Sequence, residues 1–124
     1  MKSISTNNSP QAIGPYSQGM IASPFLFISG QIPLTPEGIL VEGGIKEQTE
    51  QVMKNLYGIL SSQGLDFNNV AKTTIFLGDM NDFATVNEIY ESYMKEHKPA
   101  RSTVEVSKLP KNVKIEIEAI AFIE

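Results

Sequence analysis

A chain of 124 residues with 14 acidic and 10 basic side chains carries a formal net charge of −4. That balance gives no basic footprint for nucleic acid or an anionic membrane. The absence of cysteine excludes disulfides, thiolate chemistry and Cys-based zinc sites. The length suits a single domain, residues 1–124, burying roughly two thirds of the surface its unfolded chain exposes. No apolar run exceeds strand length, and "MKSISTNNSP" at residues 1–10 lacks a hydrophobic core. Neither a transmembrane helix nor a signal peptide is expected, and a soluble, cytoplasmic protein is.

In chain order, "AIGPYSQGM" (12–20) is turn chemistry leading into a strand, and "FLFISGQI" (25–32) is an aromatic, β-branched strand interrupted at Gly30. "PLTPEGILVEGG" (33–44) surrounds a short apolar piece with turn residues. Over 45–63, Ile45, Thr49, Val52, Met53, Leu56, Ile59 and Leu60 recur at helical spacing, and Gly64 suits a left-handed C-terminal cap. A strand over 69–79 follows. A second helix, capped by Asp79 or Asn81 and reaching Glu96, has Phe83, Val86, Tyr90, Tyr93 and Met94 on its stripe with Asn87 among them. Strands over 102–107 and 113–123 complete the chain.

This order predicts an α+β domain of two layers, with both helices on one face of a mixed sheet and the first helix crossing between neighbouring strands. In the last strand, Val113, Ile115, Ile117, Ala119 and Ala121 point toward the helices, while Lys114, Glu116, Glu118, Ile120 and Phe122 point away. An open face bearing Ile120 and Phe122 is expected to be covered by another subunit.

Arg101, in "KPARSTVEV", shares one side of its strand with Thr103 and Glu105, and the expected register turns that side toward the open face beside Glu116. Its guanidinium is either an anion anchor or a surface charge neutralised by Glu105 or Glu116. Glu116, in "IEIE", is either a solvated strand residue or a carboxylate whose apolar surroundings suit it to proton transfer. Asn87 needs hydrogen-bond partners wherever it is buried, and Tyr16, Ser29 and Gly30 lie in turn-rich stretches that can approach a ligand. His97 is the only histidine and is expected on the exposed end of the second helix. No catalytic triad, metal cluster or phosphate-binding glycine motif is present. Any catalysis is therefore expected to need no metal or cofactor.

The stretches "AIGPYSQG", "SGQIPLTP", "KTTIFLGDMNDFATVNEIYESYM", "PARSTVEVSKLP" and "KIEIEAIAF" together resemble the RidA family, also called the YjgF/YER057c/UK114 family. The resemblance runs from about residue 10 to the end of the sequence. It implies a chorismate-mutase-like fold and homotrimers with clefts between subunits. It also implies cofactor-free hydrolysis of reactive 2-imino or 2-enamino acids, released by pyridoxal-phosphate enzymes, to 2-oxo acids and ammonia. By position, it implies that Arg101 grips the substrate carboxylate and Glu116 serves the attacking water. Tyr16, Ser29, Gly30 and Asn87 match further cleft positions. Thr103 stands where the family often has Cys, the useful atom there being the backbone carbonyl. Lys98 replaces an aromatic that many members carry before "PARS", which bears on substrate preference. The alternative is a regulatory trimer that binds a small carboxylate without turnover. A nuclease reading ranks lower, for want of a basic groove or a histidine pair.

Overall fold

Residues 1–124 are described by a computed structural model. The strands are β1 (Lys2–Ile4), β2 (Gly19–Ala22), β3 (Phe25–Gln31), β4 (Val70–Leu77), β5 (Ala100–Glu105) and β6 (Ile115–Phe122); the helices are α1 (Ile45–Ser62) and α2 (Phe83–Met94). All six strands join one mixed sheet in the order β1-β2-β3-β6-β4-β5. Only β4 and β5 run parallel, and α2 connects them. The expected two-layer α+β architecture is the one found, but α1 does not link neighbouring strands. It joins β3 to β4, and β6 lies between them. The apolar alternation of β6 reads equally well at an edge or in the middle of a sheet, so sequence order alone misplaced it.

The stripe read along α1 is the stripe that packs. Val52, Met53, Leu56, Ile59 and Leu60 are buried against Leu26, Ile75, Ile115 and Ile117 of the sheet. Each such side chain contributes about 2 kcal/mol by leaving water. Gly64 ends the helix at φ +71°, while the Leu65 N–H returns to the Leu60 carbonyl; a side chain at residue 64 would strain this turn. The alternation of β6 also holds: Ile115, Ile117, Ala119 and Ala121 are buried, as is Val113 just before it.

α2 is shorter than its pattern suggests. It stops at Met94, where Lys95 turns to φ +58°. Asp79 caps a separate 3-10 turn, Met80–Asp82, through the Asn81 N–H, and α2 itself has no side-chain cap. His97 is not on an exposed helix end. It lies half-buried beyond α2, with ring Nε2 2.7 Å from the Val70 carbonyl. Since that oxygen only accepts, Nε2 carries a proton.

A fully buried amide ties the layers together. Asn55, on α1, donates through Nδ2 to the carbonyls of Ile32 (3.1 Å) and Leu34 (2.8 Å) and accepts from Gln51 Nε2 (2.9 Å). These bonds fix the chain as it leaves β3. Asn55→Leu keeps the branched shape and heavy-atom count but strands both carbonyls. It should lower unfolding free energy by about 3 kcal/mol in urea titrations, at roughly one to two per orphaned group.

Candidate functional site

Strand register decides which side chains meet. On β4, Thr73, Ile75 and Leu77 face the helices, and parallel pairing aligns them with Arg101, Thr103 and Glu105 of β5. Thr74 and Phe76 face away, aligned with Glu118 and Glu116 of β6. Arg101 and Glu116 therefore lie on opposite faces of the sheet, contrary to the expectation that they share one. The alternation within each strand was right. What failed was the side assignment for β5, an edge strand exposed along most of its length, in which neither side carries an apolar signal.

The expected site residues form two groups. The first surrounds Arg101, the chain's only arginine. Its Nη1 donates to Asn87 Oδ1 at 2.8 Å, and its guanidinium carbon stands 5.2 Å from the Tyr90 ring centre and 5.6 Å from that of Phe83. No carboxylate lies within ion-pairing distance. Glu105, one candidate partner, instead accepts the Met80 N–H at 2.7 Å, and the chain's one ion pair joins Lys98 to Glu91 at 4.0 Å. A groove of about 370 Å³ opens beside Arg101, walled by Asn87, Glu88, Tyr90, Glu91, Lys95 and Lys98. Thr103 belongs to the same side, and its Oγ1 is buried without a hydrogen-bond partner.

The second group lies on the open face, where β3 bulges against β6. Ile28 pairs with Ala119 but Gln31 pairs with Ile117, so Ser29 and Gly30 together oppose Glu118. The Glu116 carboxyl group fills the space where a Cβ on residue 30 would stand, so any side chain there would push that carboxyl group aside. Ser29 donates from its hydroxyl to the Ser17 carbonyl at 2.6 Å, which ties the bulge to the loop carrying Tyr16. The exposed Tyr16 ring and Gly30 line a hollow of about 340 Å³ with Gln31, Leu34 and Lys111.

Half-burial pushes the Glu116 carboxyl above the ordinary glutamate range, and the like charge of Glu118 adds to that. A carboxylate raised in this way accepts a proton from water more readily than an ordinary glutamate. Beyond it the open face is apolar, with Phe27 44% and Phe122 42% exposed. No helix in the chain is long and apolar enough to cross a membrane.

Residues 6–123 match the family model described as Endoribonuclease L-PSP. The chain belongs to this family. It is 57% identical over 122 residues to a RutC family protein of Pyrococcus horikoshii, covering 98% of this chain and 97% of that one. It is 53% identical over 121 residues to the 2-iminobutanoate/2-iminopropanoate deaminase of Mus musculus, covering 97% and 90%. The crystal structure of E. coli TdcF with bound serine superposes with a TM-score of 0.95 at 42% identity over the whole of both chains. The membership expected from the "PARS" and "IEIEAIA" stretches is the one found.

Tyr90, Phe83 and Thr73 had no place among the expected site residues. Tyr90 stood on the α2 stripe as a core aromatic, and the signal that could have singled it out is its hydroxyl, which needs a partner once buried.

Two measurements check this geometry. Thr103→Val removes an unpaired buried hydroxyl without changing volume and should raise unfolding free energy by up to about 1 kcal/mol. Carboxyl NMR titration should find Glu116 above the ordinary glutamate range, with Glu118→Gln moving it down. In that window the folded chain keeps a proton that the unfolded chain has lost, so Glu116's contribution to stability falls as pH rises through it.

Proposed function

We propose that this protein hydrolyses reactive 2-imino and 2-enamino acids to 2-oxo acids and ammonia. In this reading residues 1–124 are a single RidA-like domain that works as a homotrimer and uses no cofactor. The observation that carries the proposal is the Arg101 guanidinium, held at an exposed strand edge with no carboxylate paired to it. A free planar guanidinium beside a groove suits the carboxylate of an imino acid, which can take two parallel hydrogen bonds. Identity of 53% to the mouse deaminase, across nearly the whole chain, supports the same reaction.

The substrate enters as a protonated imine, already electrophilic at C2. Arg101 grips its carboxylate and fixes C2 in place. Glu116 takes a proton from water as the oxygen bonds to C2, forming a carbinolamine, and returns that proton to the nitrogen; as the C–N bond breaks, the freed carboxylate takes the hydroxyl proton, which then passes to solvent. Ammonia leaves and the 2-oxo acid remains, with no change in oxidation state. Tyr16, Ser29, Gly30 and Asn87 line the cleft in this scheme, and Thr103 contributes its backbone carbonyl. The hydrolysis clears reactive imines shed by pyridoxal-phosphate enzymes.

Arg101 and Glu116 of one chain lie on opposite faces of the sheet, so one small substrate cannot touch both. The two-copy site answers that separation: Arg101 with Asn87 comes from one subunit, and Glu116 with Tyr16, Ser29 and Gly30 from the next. A closed ring of copies gives every subunit both roles at different seams.

With imines made in situ by an amino-acid oxidase, purified protein should speed ammonia release. Arg101→Ala should lose about a hundredfold or more in kcat/KM, and Glu116→Gln about a hundredfold or more in kcat. Refolding the two inactive variants together should recover part of the wild-type rate, because some seams then pair an intact Arg101 with an intact Glu116. Unchanged ammonia release across several amino acids would refute the enzymatic reading. Retained pyruvate binding without turnover would favour the regulatory alternative.

A further inference from the structure

We propose that Tyr90, tied through its hydroxyl to Thr73, is a positioning residue for Arg101. Together with Phe83 and Asn87 it holds the guanidinium by neutral groups alone, leaving the whole charge to an anionic ligand. The inference rests on the reading of Arg101 as a carboxylate anchor.

Arg101 projects from an edge strand, where a long and rotamer-rich side chain is ordinarily mobile. Fixing it takes partners, and the commonest partner for an arginine is a carboxylate. That solution would defeat the purpose, since a paired carboxylate occupies the same donors and cancels the charge that a substrate carboxylate must find. Here the partners are two ring faces and one amide oxygen. An aromatic face attracts a cation through its quadrupole without carrying net charge. The Asn87 oxygen takes one of the five guanidinium N–H groups and leaves the others for a ligand.

The nearer of the two rings is itself fixed. Tyr90 is 7% exposed and Thr73 1% exposed, and their hydroxyl oxygens lie 2.7 Å apart. Thr73 is also the β4 residue in register with Arg101. One position on β4 therefore sets the ring that supports the arginine one strand over. Tilting the ring away would break a buried hydrogen bond, which costs more inside a protein than at its surface.

The test compares Tyr90→Phe, Thr73→Val, their double variant and Asn87→Asp, using KM for in situ imines and calorimetric Kd for pyruvate as a non-reacting carboxylate. Tyr90→Phe and Thr73→Val remove the same bond. Each should raise KM and the pyruvate Kd by about three- to tenfold, with kcat within about twofold, and the double variant should be no worse than either single one. Asn87→Asp, at a half-exposed position that tolerates the change, gives Arg101 a carboxylate. It should weaken pyruvate by about tenfold or more while leaving thermal stability intact. Wild-type activity with KM and Kd unchanged in Tyr90→Phe and Thr73→Val overturns this inference and leaves the deaminase reading standing. So does tight pyruvate binding by Asn87→Asp. A wild type that neither binds pyruvate nor releases ammonia overturns both.

Discussion

Parity along β4 governs where the chemistry of this protein can occur. Successive residues of a strand point to opposite sides, and β4 is paired on both flanks, parallel to β5 and antiparallel to β6. Because Thr73, Ile75 and Leu77 must be buried beneath the helices, Arg101, Thr103 and Glu105 are turned to that side. Because Thr74 and Phe76 must then face away, Glu116 and Glu118 are turned to the other. A slip of one residue in either pairing would bring the cation and the carboxylates onto one face, where they would neutralise each other. Burial of three β4 residues thus keeps the Arg101 and Glu116 charges apart within a chain, so the proposed site that uses both draws on two chains.

How much of this was legible in the sequence depended on whether burial was one-sided. The α1 stripe and the β6 alternation were read residue by residue, since each element has a wet side and a dry side that differ sharply in composition. β5 offered no such contrast. It is an edge strand exposed along most of its length, so its internal alternation was clear while its orientation was not. The placement of β6 between β3 and β4 was hidden for a related reason: sequence order says nothing of which strand is inserted late into a gap. β1 was missed outright, because three polar-flanked residues carry no periodic signal. Of the two halves of the site, the residues were named from resemblance, while the division between faces came only from register.

In the proposed reaction the two halves of the site solve different electrostatic problems. Arg101 must keep its charge and its position together, and it does so with π faces and an amide. Glu116 must hold a proton more readily than an ordinary glutamate, and half-burial beside Glu118 over a glycine bulge achieves it. Neither arrangement draws on the other, which is why each could be described completely within one chain.

The position of β5 at the sheet edge has a consequence for the handling of this protein as a material. An uncovered edge strand presents a row of unsatisfied backbone donors and acceptors, and any other extended chain can add to it. The proposed seam between copies at Arg101 would also screen that row from chance partners. The pressure to keep the cleft assembled and the pressure to stay in solution would then act on the same surface. Substitutions that loosen it should appear in the insoluble fraction as readily as in a failed assay, and crowded or heated samples would reveal them first.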